Sequence, residues 1–155
     1  MRYGYAYKAQ ANEAKAVGRG LPISYKSSVE VCRSLRGKDI ERAKRILDDA
    51  IDLRQAIPFK RYYEEIAHNK NVGPGKFPVK VCEHIRSVIE SAETNAQLKG
   101  LSTATLTIKH IAAQSGGKVF HHGRNGRQGK NCHIEVVLAE GQKKEKKVKK
   151  TEAKK

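Results

Sequence analysis

The stretch SGGKVFHHGRNGRQGKN, from Ser115 to Asn131, gathers side chains that could do chemistry: five glycines, four lysines or arginines, two adjacent histidines and no acid. Three chemistries compete for it. A catalytic phosphate loop would use its glycines to bring backbone N–H groups to a nucleotide. A metal centre would draw on His121, His122, Cys132 and His133. An arm reaching into nucleic acid would set cations against phosphates with no anion to oppose them.

The first two fail on spacing. GRNGRQG matches neither G-x-x-x-x-G-K-[ST] nor G-x-G-x-x-G, and it does not lead from a strand into a helix. The histidines and Cys132 match no closed zinc set, and the basic neighbours repel a cation. Elsewhere, Glu64 and Glu65 are adjacent and need not point together, and no nucleophile–base motif is evident. Cys32, Cys82 and Cys132 are far apart with no C-x-x-C pair, so each reads as a small buried apolar residue.

The arm reading gains from its surroundings. No acid occurs between Glu93 and Glu135, a window that holds Lys99, Lys109, Lys118, Arg124, Arg127 and Lys130. Arginine can bond a phosphate with two donors at once, and glycine lets the backbone approach closely. The whole chain has a formal charge of +16 over 155 residues. Its last segment, KKEKKVKKTEAKK, carries eight lysines and two glutamates, a net of +6, so +10 belongs to the rest. A basic body with a basic tail favours a polyanion, and nucleic acid is the usual one. No apolar run approaches the roughly 20 residues of a transmembrane helix, and the first twenty residues lack an apolar signal region. A soluble, intracellular protein that does not enter a membrane is expected.

The arm needs elements to carry it. STATLTIKHIAAQ alternates with period two, placing Ala104, Leu106, Ile108 and Ala112 on one face and Thr103, Thr105, Thr107 and Lys109 on the other. NCHIEVVLAE answers with Cys132, Ile134, Val136 and Leu138. These two runs predict an antiparallel hairpin over about residues 103–139, whose far end is the glycine-rich stretch. Twelve extended residues from Thr103 to Gln114 would span about 40 Å, longer than a small domain is wide, so the distal part should project.

Three helices are expected to support it. The first starts at SSVEVCRSLRG, with Ser27 and Glu30 in capping-box spacing and Gly37 as its stop. The second is KDIERAKRILDDAIDLRQAIP, capped by Asp39, with Ile40, Ala43, Leu47, Ala50 and Leu53 on one face and Pro58 enforcing its end. The third runs from Pro78 to Gly100, with Val81, Ile85, Val88, Ala92 and Ala96 on its stripe and His84 at the edge of the packed face. A strand is expected around AKAVGRGLPIS, after an irregular start with Tyr3, Tyr5 and Tyr7. Residues 58–77 read as a loop in which PFKRYY sets Lys60 and Arg61 beside aromatic rings, either packed on the core or facing phosphates. One globular domain over 1–141 and a disordered lysine-rich tail over 142–155 follow.

Composition alone does not separate one kind of nucleic-acid-binding protein from another, such as a free RNA chaperone or a DNA-architectural protein with a β-arm. Particular words do. RY at Arg2–Tyr3, PFKRY at Pro58–Tyr62, SAETNAQLKGL at Ser91–Leu101, HGR at His122–Arg124 and CHIEVVLAE at Cys132–Glu140, in this order, resemble the family of large-subunit ribosomal proteins numbered twenty-two in the bacterial scheme, in its archaeal and eukaryotic form. The resemblance covers about residues 1–140. It implies an α+β fold: a three-stranded antiparallel sheet packed with three helices, plus a long protruding β-hairpin. It implies a structural role in the large subunit without enzymatic activity or cofactor, binding 23S-type rRNA, supporting subunit assembly and helping to line the peptide exit tunnel. Neighbouring large-subunit proteins and, transiently, the nascent polypeptide would be partners, in the cytoplasm.

The residues expected to contact rRNA along the hairpin are Lys118, Phe120, His121, His122, Arg124, Arg127 and Lys130, with the aromatic groups stacking on bases. Lys26, Lys60, Arg61, Lys76 and Lys80 are the candidates on the body. Gly123, Arg124, Asn125 and Gly126 form the tip that would face the tunnel.

Overall fold

A computed structural model describes residues 4–120 and 127–141. Its frame is a three-stranded antiparallel sheet of β1 (Glu13–Leu21), β8 (Cys132–Glu140) and β5 (Leu106–Ser115), with β8 in the centre. Between β1 and β5 the chain runs through α1 (Tyr25–Leu35), α2 (Ile40–Ile51), three short strands β2 (Ile57–Pro58), β3 (His68–Asn69) and β4 (Gly73–Lys76), and the long α3 (Val79–Leu98). The short strands make their own sheet in the order β2–β4–β3, and β6 (Val119–Phe120) pairs with β7 (Gln128–Gly129) in a third. The α+β class, with its sheet and helices, matches the expectation. Among the described residues no helix is long and apolar enough to cross a membrane.

The central strand follows the period-two pattern: Cys132, Ile134, Val136 and Leu138 are fully buried against the helices. Each large aliphatic side chain so buried contributes about 1.5–3 kcal/mol. β1 faces the same core with Ala14 and Ala16, and α3 packs directly on it. Gly18 shows how close that approach is, since a Cβ there would sit 2.6 Å from Val88 Cγ2. α1 lies against β5, and α2 packs on α3. Val81, Ile85, Val88, Ala92 and Ala96 are all buried, and His84 is half-buried at the edge of that stripe. All three cysteines are free and buried. Burial raises the Cys82 thiol to about 12, with Glu83 adding to it. Burial likewise raises the Cys32 and Cys132 thiols, so all stay protonated and unreactive.

Several local expectations are corrected. Thr103–Thr105 form a 3₁₀ turn, so the strand starts only at Leu106. Strand β5 then carries a bulge: Ile108 pairs with Leu138 but His110 with Val137, leaving Lys109 as the extra residue. The bulge flips the alternation, so Ile111, in place of Ala112, is fully buried on the core face. Helix α1 begins at Tyr25, ahead of the expected Ser27, and Ser24 occupies its N-cap position. Glu30 makes no capping box; its carboxylate is buried elsewhere, as described below. Asp39 sits at the N-cap of α2 without a side-chain cap bond. Helix α2 stops at Ile51, well before Pro58, because Leu53 adopts a positive φ of 60° and turns outward, 61% exposed. Gly37 and Gly100 do take the left-handed φ of 73° expected after α1 and α3.

The other face of the sheet is covered by the irregular segment 4–12. Its lid is polar. Ala6 donates its N–H to Glu135 Oε2 at 3.0 Å, and His110 Nε2 lies 2.8 Å from Glu135 Oε1. Tyr7 stacks on the His110 ring with centroids 5.3 Å apart. Gln10 donates its N–H to Glu13 Oε2 at 2.9 Å, and the bulged Lys109 places its ammonium on the same carboxylate. Glu13, Glu135 and Val137 are fully buried beneath this segment.

Candidate nucleic-acid interface

The arm leaves the body at a defined neck. Strands β5 and β8 stay paired as far as Ser115 opposite Cys132. Gly116 then donates its N–H to the Asn131 carbonyl at 3.0 Å, and Asn131 Nδ2 donates to the Gly117 carbonyl at 3.1 Å. A Cβ on Gly116 would stand 2.4 Å from Asn131 Cγ, so only glycine accommodates this clasp. On the neighbouring strand, Gly20 (φ 65°) donates its N–H to His133 Nδ1 at 2.9 Å. The ribbon is therefore two ladders joined at a neck. The inner ladder is core; beyond it, Val119 pairs with Gly129 and Phe120 with Gln128.

Past the neck the described residues are 117–120 and 127–130. Lys118, Arg127 and Lys130 are exposed, Phe120 is 56% exposed, and no acid is among them. None of the three cations has a carboxylate partner among the described residues. His121, His122, Gly123, Arg124, Asn125 and Gly126, the remaining expected contacts and the tip, lie outside the described residues, as do Arg2, Tyr3 and the tail 142–155.

On the body the expected cations are drawn partly together. Lys26, at the start of α1, has its ammonium 5.7 Å from the centre of the Tyr62 ring, and the Arg61 guanidinium lies 5.3 Å from it. Lys60 belongs to the same turn. Lys76 stands on β4 opposite Ile57, two residues before Phe59 and the turn, and Lys80 lies in the first turn of α3. All five are exposed.

What shapes that turn is Glu30, whose spacing from Ser27 is that of a helix capping box. The Glu30 carboxylate accepts the backbone N–H groups of Lys60 (3.1 Å), Arg61 (2.7 Å) and Tyr62 (3.0 Å). Burial alone would raise its pKa, but these three donors together with the nearby Arg33 hold it below the usual carboxylate range. Nothing local signals this role, because the partners lie 30 or more residues further along the chain.

A rigid α+β body that engages some cations internally and holds others out, with an acid-free ribbon beyond a glycine neck, defines a class of small basic proteins built to present positive charge at one sheet end. A model of the family Ribosomal protein L22p/L17e matches residues 16–139, and the chain belongs to that family. It is 40% identical over 144 residues to the Large ribosomal subunit protein uL22 of Thermoplasma acidophilum, covering 89% of this chain and 95% of that one. It is 41% identical over 120 residues to the protein of the same name from Archaeoglobus fulgidus (74% and 77% covered), and 43% over 138 residues to that of Methanopyrus kandleri (82% and 86%).

Proposed function

We propose that this chain is a structural constituent of the large ribosomal subunit that binds 23S-type rRNA, in the cytoplasm, with a role in assembly rather than in any enzymatic step. The observation that carries the reading is the ribbon beyond the neck. Lys118, Arg127 and Lys130 are held out on a narrow two-stranded ladder with no carboxylate partner among the described residues, which suits insertion between phosphate backbones. A bare two-stranded ribbon is marginal in water, so a partner that packs against both of its faces would stabilise it. Neighbouring large-subunit proteins are partners of the body on this reading. The tip Gly123–Gly126 would face the exit tunnel and meet the nascent polypeptide in passing, a role that rests on the family resemblance.

Two measurements test it. In a sucrose gradient the protein should co-migrate with large subunits at near-stoichiometric yield; a chain that binds RNA yet stays at the top of the gradient would be a free nucleic-acid-binding module. Replacing Lys118, Arg124 and Arg127 with alanine should weaken rRNA binding and reduce the slope of log K against log salt by about 2–3. An unchanged slope would remove these residues from the interface.

A further inference from the structure

The turn at Lys60–Tyr63 is more specialised than a patch of positive charge needs. Three successive backbone N–H groups converge on one buried carboxylate, Glu30, which fixes the backbone of the turn. With the main chain held inward, the side chains are presented outward. Lys60 and Arg61 are exposed, Tyr62 is half-buried with two cations against its ring, and Tyr63 is 55% exposed. Among the described residues Tyr63 has no ring or cation partner, and Lys26, Lys60 and Arg61 have no carboxylate partner.

Phosphates alone would require only the cations. A duplex offers them phosphates and hydroxyls, but its bases are stacked on each other and offer no free ring face. An exposed tyrosine, two residues along the turn from an arginine whose guanidinium lies 5.3 Å from the ring of a second tyrosine, matches a different target. Unpaired bases stack on aromatic rings and on arginine planes while flanking phosphates take the ammonium groups.

We propose that the Lys60–Tyr63 turn is a platform for an unpaired RNA base, which stacks on Tyr63 and the Arg61–Tyr62 pair while Lys26 and Lys60 hold the adjacent phosphates. Glu30 is the positioning residue: it touches no RNA and sets the turn that presents the rings. This deepens the rRNA-binding reading and rests on it.

The test uses the full chain and a nine-nucleotide single-stranded oligoadenylate with 2-aminopurine at its centre, whose fluorescence falls when the base stacks. Wild type should quench it, and a 16-base-pair RNA duplex should compete poorly. Tyr63→Ala and Tyr62→Ala should each weaken the quenching interaction by about 5- to 100-fold, while Tyr63→Phe retains it. Lys118→Ala with Arg127→Ala should lower affinity for intact 23S-type rRNA and leave the quenching unchanged. Glu30→Gln should reduce the quenching amplitude in protein that circular dichroism shows to be folded; a merely structural Glu30 would lower the melting temperature and leave the amplitude alone. Wild type that binds 23S-type rRNA without quenching, or tyrosine variants that quench like wild type, would overturn the platform and spare the rRNA reading. Wild type that binds no rRNA would overturn both.

Discussion

Two regions of the molecule treat positive charge in opposite ways. On the outer face of the main sheet, Lys109 and His110 are turned onto the buried carboxylates of Glu13 and Glu135, and from the end of α3 Lys99 donates to the Glu13 main-chain carbonyl at 2.6 Å. There the two lysines are part of the architecture, and together with His110 they fasten residues 4–12 over the strands. Beyond the neck, and on the Lys60–Tyr63 turn, the same residue types stand exposed with no carboxylate partner among the described residues. A net charge of +16 therefore does not measure an interface. What marks one is the set of cations the fold leaves without an anion.

The sharpest way to break this comparison is to remove an anchor. Glu135→Ala deletes the acceptor of the Ala6 N–H and the partner of His110 in a fully buried site. The loss should cost about 2–4 kcal/mol, read as a lower urea midpoint, while the salt slope of rRNA binding by folded protein stays unchanged. A variant with wild-type stability would mean that the lid is not held by this carboxylate. A smaller effect of the opposite kind is expected at the neck. Gly116→Ala drives a Cβ into Asn131 and opens the clasp without altering any charge. The body should lose little stability. Affinity for rRNA should fall by about 5-fold, consistent with roughly 1 kcal/mol of local overpacking, again with an unchanged slope. A fall in slope instead would show that the neck also sets how many phosphates are contacted.

Much of this was legible in the sequence. Regular periodicity located β8 and α3, the free left-handed glycines marked the helix stops, and the acid-free window from Thr94 to Ile134 located the arm. What escaped depends on contacts distant along the chain. The bulge at Lys109 cannot be read from an alternating pattern, because the carboxylate that the bulged side chain meets, Glu13, lies 96 residues away. Glu30 had the spacing of a local capping box, yet its donors come from the turn after β2. Leu53 had the right spacing for the α2 stripe, but the helix had already ended. Local periodicity reports which face of an element is buried, and cannot report which distant polar group will be buried with it.

The finest test of the comparison is pH, because it acts on the anchors without touching the exposed cations. Glu13 and Glu30 each have two opposing influences. Burial raises their pKa; against it, Lys109, the Gln10 N–H and Tyr7 act on Glu13, and the Lys60, Arg61 and Tyr62 N–H groups act on Glu30, and in both the second set wins. A carboxylate whose pKa is lower folded than unfolded stabilises the fold fully above the unfolded value, about 4.3, and that contribution disappears as pH falls through the lower folded value. Between pH 7 and 5 the urea midpoint should therefore be nearly flat with respect to these two groups, and it should decline below about pH 4. Glu30→Gln should flatten part of that acid limb while leaving the part due to Glu13. In the same window the exposed lysines and arginines keep their charge, so protein that remains folded should keep the share of its salt slope for RNA that Lys118, Arg127 and Lys130 contribute, while the Lys60–Tyr63 turn, which Glu30 positions, loosens with the fold. If that share of the slope and the stability declined together in acid, the anchoring and the exposed cations would belong to one coupled system, and the division between the two regions would fail.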